Sequence, residues 1–87
     1  MNIPQVKVDF NTQGMCILSA DPISEQLEAY VIGIAQSFFG MKASSDTKMM
    51  IERAIATSLM ALINSGQLFK NRNGIWDATG FLWVDNG

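Results

Sequence analysis

Few side chains in this sequence are equipped for chemistry. There is no histidine, a single cysteine, Cys16, and eight carboxylates. The lack of histidine removes the commonest general base, the usual triads and most metal sites. One thiol without an imidazole cannot assemble a zinc centre. Asp21, Glu25 and Glu28 come together near one predicted helix start. Their spacing fits negative charge placed against a helix dipole, with a paired-carboxylate site as the rival reading. Cys16 stands between Met15 and Ile17 in a predicted strand, with no basic neighbour to lower its pKa. That predicts a buried, structural thiol. Gly14, Gly33, Gly40 and Gly66 are isolated and form no phosphate-binding loop. The residues therefore point to no enzyme, no cofactor and no metal: no catalytic, cofactor-binding or metal-binding residues are expected.

Composition narrows the alternatives. Apolar residues make up 48% of the 87-residue chain and charged residues 16%, against about 25% charged in an average globular protein. A domain this small has a high ratio of surface to volume. Either its surface is rich in uncharged polar residues, or apolar surface faces a partner. The net charge of −2 is too weak to steer the chain to nucleic acid. Lys7, Lys42, Lys48, Arg53, Lys70 and Arg72 never form a run. The first residues, Met1 to Gln5, lack the basic start and apolar stretch of a signal peptide. The uncharged stretch from Ala29 to Met41 is well short of the ~20 apolar residues of a spanning helix. A soluble, cytoplasmic protein is expected, with its lone cysteine reduced.

The elements follow from periodicity. Gln5 to Phe10 alternates as a half-buried strand. Asn11 to Gly14 make a four-residue turn, and Met15 to Ser19 return. Pairing Phe10 with Met15 puts Val8 opposite Ile17 and Lys7 opposite Leu18. Val6, Val8, Phe10, Met15 and Ile17 then face inward, and Cys16 and Leu18 face out. The second strand is apolar on both faces, so something is expected to cover it. Asp21-Pro22 is the predicted start of the first helix, with Asp21 as N-cap. Its core stripe is Leu27, Val31, Ile34, Phe38 and Met41, widened by Tyr30, Ile32, Ala35 and Phe39. Gly40 marks the exit. Ser44, Ser45 and Asp46 offer caps for a second helix with the stripe Ile51, Ile55, Leu59 and Leu62. Gly66 is its expected C′ residue.

Asn73-Gly74 predicts a two-residue hairpin loop that sets Lys70 opposite Asp77 and Asn71 opposite Trp76. Phe81 to Val84 forms a last apolar strand, expected inside the sheet or over the Cys16/Leu18 face. The fold class is α+β, one domain over residues 1–87. An antiparallel sheet is built from N-terminal and C-terminal β-hairpins, with a two-helix hairpin between them. The order is ββααββ with room for one further strand. Two separate hairpins flanking a helical pair is the alternative.

Three features point to a surface for protein partners. Ala29, Gly33 and Ser37 form a small-residue ridge on the first helix. It serves either close packing on the second helix or a self-associating face. The methionines, including Met15, Met41, Met49, Met50 and Met60, are read as gap fillers. Met49 and Met50 are also candidates for an adaptable contact surface. Trp76 and Trp83 suit either core or a binding patch. Partner-binding candidates are thus Gly33, Ser37, Met49, Met50, Trp76 and Trp83.

From Gln5 to Gly66 the strand followed by two helices resembles ribbon-helix-helix repressors, with Gln5, Lys7 and Asp9 where that family reads bases. The second strand interrupts the pattern, so no site carries over. The chain also looks like small bacteriophage and mobile-element proteins, which implies binding to one host protein. The expected function is a non-enzymatic protein–protein interaction or regulatory protein whose partner is one protein or itself, as a homodimer. The alternative is a small DNA-binding regulator using the helical pair or the C-terminal hairpin.

Overall fold

The computed structural model describes residues 3–79. The observed order is ββααββ: β1 (Val6–Phe10), β2 (Cys16–Ala20), α1 (Glu25–Gln36), α2 (Ser45–Asn64), β3 (Leu68–Lys70) and β4 (Trp76–Ala78). The α+β class is as expected. The strands form two separate antiparallel hairpins, β1–β2 and β3–β4, and not one joined sheet. The expected strand at Phe81 to Val84 lies outside the described residues.

Both hairpins turn on the same five-residue device. The Asn11 amide donates to the Met15 carbonyl at 2.9 Å, and the Gly14 amide to the Asn11 carbonyl at 2.9 Å. The Asn11 side-chain oxygen accepts from the amides of Gln13 and Met15. Sixty positions later Asn71 repeats this pattern, with bonds to Asn73, Gly74 and Ile75. Gly14 and Gly74 sit at φ +80° and +77°. This is a type I turn closed by a glycine bulge, and Asn is favoured at its first position because its side chain mimics a turn carbonyl.

The turn shifts both expected registers by one residue. Phe10 pairs with Cys16, Val8 with Leu18 and Val6 with Ala20. In β3–β4, Lys70 pairs with Trp76 and Phe69 with Asp77. A slip of one residue turns every side chain of a strand over. Cys16, Leu18 and Ala20 therefore share the inner face with Val8, and Ile17 looks outward, the reverse of the sequence expectation. The charge pair Lys70/Asp77 is replaced by Lys70 lying over the Trp76 ring at 5.3 Å, a cation–π contact.

Asp21-Pro22 does not start the first helix. Asp21 is tied to Gln5 instead: its carboxylate accepts from the Gln5 amide at 2.9 Å, and its own amide donates to the Gln5 carbonyl at 3.0 Å. The Pro22 carbonyl accepts from the Trp76 amide at 3.0 Å, and the Ser24 amide donates to the Trp76 carbonyl at 2.8 Å. Residues 22–24 thus run parallel to β4, bridging at Ile23 and Trp76. Their backbone groups are already used there, so the helix begins after Ser24, whose hydroxyl accepts from the Leu27 amide. α1 ends at Gln36, and the next residues continue in tighter i→i+3 turns. Phe38 and Met41 lie beyond the helix: Phe38 still packs on the core, and Met41 is exposed.

α2 agrees with its sequence signals. Ser44 is the N-cap, with its oxygen accepting from the Thr47 amide. At the other end the Gly66 amide donates to Ile63 and the Gln67 amide to Leu62, the paired bonds of a Schellman motif on a glycine at φ +76°. Leu27 and Val31 from α1 meet Ile51, Ile55, Leu59 and Leu62 from α2 in the core. Val8 closes it on one side, and Leu68, Trp76 and Ala78 on the other. Glu52 adds a polar tie: its carboxylate accepts from the Val8 amide at 2.8 Å, joining α2 to β1.

Candidate functional site

Among the described residues, β2 is the strand on which neither helix packs closely. α2 packs on β1, while α1 packs on α2 and β4. Between β2 and α1 lies an open groove of 890 Å3. Phe10, Cys16 and Leu18 form its strand wall, and Val31, Ile32 and Ala35 its helix wall. Thr47 and Ile51 of α2 lie at its floor, and the segment after α1 supplies Phe38, Phe39 and Met41. The Thr47 hydroxyl is not free there: it donates to the Lys42 carbonyl at 2.7 Å. The lining is mainly apolar. Among the described residues its charged members are Asp21 and Glu28, towards the α1 start. Phe39 is 94% exposed and Met15 61% exposed, so apolar surface spills over the groove's lip.

The groove offers little to chemistry. Cys16 is exposed on its wall, not buried as its neighbours in the sequence implied. Partial desolvation raises the pKa of its thiol, which keeps it protonated and a poor nucleophile. Glu25 and Glu28 lie in the first turn of α1, where they complement the helix dipole, and Asp21 is engaged by Gln5. The carboxylate with a lowered pKa is elsewhere: Asp77, held down first by the Ser24 hydroxyl and then by the Ala78 amide. Among the described residues no three His, Cys, Asp or Glu side chains come together to hold a metal, and no helix is long and apolar enough to cross a membrane.

The partner-binding candidates from the sequence are scattered. Gly33 on α1 and Ser37, its C-cap, are exposed, and a Cβ at Gly33 would meet nothing within 4 Å. The ridge therefore does not pack on α2. Met49 and Met50 are 56% and 46% exposed at the start of α2. They fill no core gap, nor do Met15 and Met41. Trp76 is core, and Trp83 lies outside the described residues. None of Gly33, Ser37, Met49, Met50 and Trp76 lines the groove. Two signals did point to it: β2 is apolar on both faces, and the apolar surface of the first helix exceeds half its circumference. The basic residues sit on β1, the α1–α2 loop, α2 and the β3–β4 hairpin. The second strand, paired to the first along its whole length, departs from the ribbon-helix-helix pattern. No family model, curated protein or solved structure matches the chain.

Proposed function

We propose that this domain is a non-enzymatic interaction protein, and that it associates through the β2–α1 groove with a second copy of itself as the partner. The observation that supports the reading is the groove's size and lining: 890 Å3 of mainly apolar space in an 87-residue chain. Closing it would remove Phe39, Met15 and Ile32 from water, at about 25 cal/mol per Å2 of apolar area. Symmetric pairing is the commonest way for a small chain to bury such a surface. Sedimentation equilibrium tests it. The expected species at micromolar concentration has twice the 9.6 kDa chain mass, and Phe39→Asp, at an exposed position, returns it to the monomer without loss of circular dichroism. A wild-type mass of 9.6 kDa at every concentration would sink the proposal.

A further inference from the structure

The hydrogen bonds of the β1–β2 hairpin leave β2 with an open edge. The Asn11 amide donates to the Met15 carbonyl, and the Asp21 amide to the Gln5 carbonyl. Bonded and non-bonded pairs alternate between these two ties, so Asp9 with Ile17 and Lys7 with Ser19 exchange backbone bonds. The intervening residues turn their N–H and C=O groups away from the hairpin partner. On β1 this phase shows at Val8, whose amide donates to the Glu52 carboxylate on the far side. On β2 the outward groups belong to Cys16, Leu18 and Ala20, and none of them bonds to another described residue. An edge left to water ordinarily carries a lysine, a proline or a bulge. Cys16-Ile17-Leu18-Ser19-Ala20 carries none of them. We propose that β2 pairs antiparallel with β2 of a second copy, giving one continuous four-stranded sheet, β1–β2–β2–β1. This rests on the self-association proposed above and names the contact that directs it.

The register follows from which groups are free. A two-fold axis at Leu18 sets Leu18 opposite its counterpart and Cys16 opposite Ala20, so every outward group on both strands finds a partner. Shifting the register one way brings Pro22, which has no N–H, opposite Cys16. Shifting it the other way brings Gly14, whose amide already donates to Asn11, opposite Ala20. β2 carries no charge, so nothing repels its copy across the axis. With the axis normal to the sheet, the inner faces of both strands look the same way, and the two β2–α1 grooves run together. The apolar residues Phe81 to Val84 of the same chain do not reach along this edge. Pro22 and Ser24 bond to Trp76, so only the Ala20 end lies near the departing chain. Thr79 donates its amide to the Gln67 carbonyl at 2.9 Å, just past the C-terminal end of α2. The hairpin turn is at the other end, where a Cβ on Gly14 would stand 3.9 Å from that of Ala43. The 20 residues of α2 set these ends about 30 Å apart, and Cys16 is two residues from Gly14. At about 3.6 Å per residue, Val84 lies no more than about 18 Å from Thr79. A second copy is under no such limit.

Amide hydrogen exchange of the full chain, read residue by residue by NMR over the concentrations at which the mass doubles, tests the pairing. The Ile17 and Ser19 amides should be protected at every concentration, and those of Cys16, Leu18 and Ala20 only as the dimer forms. A cross-link tests the register. One chain keeps Cys16, and the other carries Cys16→Ser and Ala20→Cys. Hydrogen-bonded partners on antiparallel strands stand about 5.5 Å apart at Cα, inside the range a disulfide spans. Mild oxidation of the mixture should give a heterodimer of twice 9.6 kDa. Ser19→Cys in place of Ala20→Cys puts the thiol on the outer face and should give none. A doubled mass with the three outward amides still exchanging freely would overturn the strand pairing and leave association through the groove standing. Protection of those amides at a mass of 9.6 kDa would overturn it too, by showing the edge filled within one chain. A chain that is monomeric throughout removes both proposals.

Discussion

The Ser24 hydroxyl joins two elements that are fifty-three residues apart in sequence: it accepts from the Leu27 amide at 3.2 Å and donates to the Asp77 carboxylate at 2.7 Å. One oxygen atom thus caps α1 and anchors β4. Ser24→Ala removes both bonds. A lost N-cap costs about 0.5–2 kcal/mol, and each kcal/mol lowers the melting temperature of a domain this size by roughly 4–8 °C. A double-mutant cycle with Asp77→Asn should give a coupling above 0.5 kcal/mol, the range for directly bonded neighbours. Additive losses would mean that the 2.7 Å contact contributes nothing.

The same pair sets an acid limit. The Asp77 carboxyl is held below its ordinary value, chiefly by Ser24. A depressed folded-state pKa contributes stability that is present above the unfolded value, about 3.9 for Asp. That contribution is lost as pH falls through the folded value. Chemical denaturation should therefore show stability falling below about pH 4, with a smaller acid loss in Asp77→Asn. Identical slopes in the two proteins would show that Asp77 has no part in the acid response.

Glu52 is expected to matter through an amide. Its carboxylate is the acceptor for the Val8 N–H, and Val8 is buried. Glu52→Ala leaves that donor unpaired, at a cost of about 1–3 kcal/mol. Glu52→Gln keeps an oxygen in reach and should lose less. Urea denaturation ranks the two, and equal losses would remove the bond from the account.

Gly33 should accept a side chain. Its surroundings are open and its φ is ordinary, so Gly33→Ala should stabilise α1 by about 0.5–1 kcal/mol. Gly74→Ala should do the reverse, because Gly74 holds φ +77°; a non-glycine residue there costs about 1–3 kcal/mol. Thermal unfolding of the pair should shift in opposite directions. A destabilised Gly33→Ala would reveal a neighbour that the monomer does not provide, and would restore the small-residue ridge as a contact face.

The basic residues are spread over four regions of the chain, and Lys70 is engaged with Trp76. Specific duplex binding is therefore not expected at ~150 mM salt, and any binding should fall steeply with added salt. A nanomolar mobility shift on one defined sequence would reinstate the DNA-binding alternative.

Element order and the α2 core were legible because apolar residues recur there at helical spacing between strong caps, Ser44 and Gly66. The first helix start was misplaced because its decisive partner is remote: nothing near Pro22 announces that Trp76 will take its carbonyl. The hairpin registers failed for a local reason. Asn73-Gly74 suggests a two-residue turn, while Asn71 and Asn11, acting through their side chains, lengthen the loop. That slip assigned Cys16 and Leu18 to the outer face, so the sequence pointed to the strand that lines the groove but not to the face it presents.

The bridge between Ile23 and Trp76 bears on when the domain folds. The two hairpins and α2 close through local contacts, which form within microseconds. Leu27 and Leu62 share their cluster with Leu68, Trp76 and Ala78, which the ribosome delivers late, at about 5–20 residues per second. For those seconds the emerging chain presents half a core. Pulse-labelling of stalled nascent chains should find the α1 amides unprotected until Ala78 has left the exit tunnel, after which they become protected together.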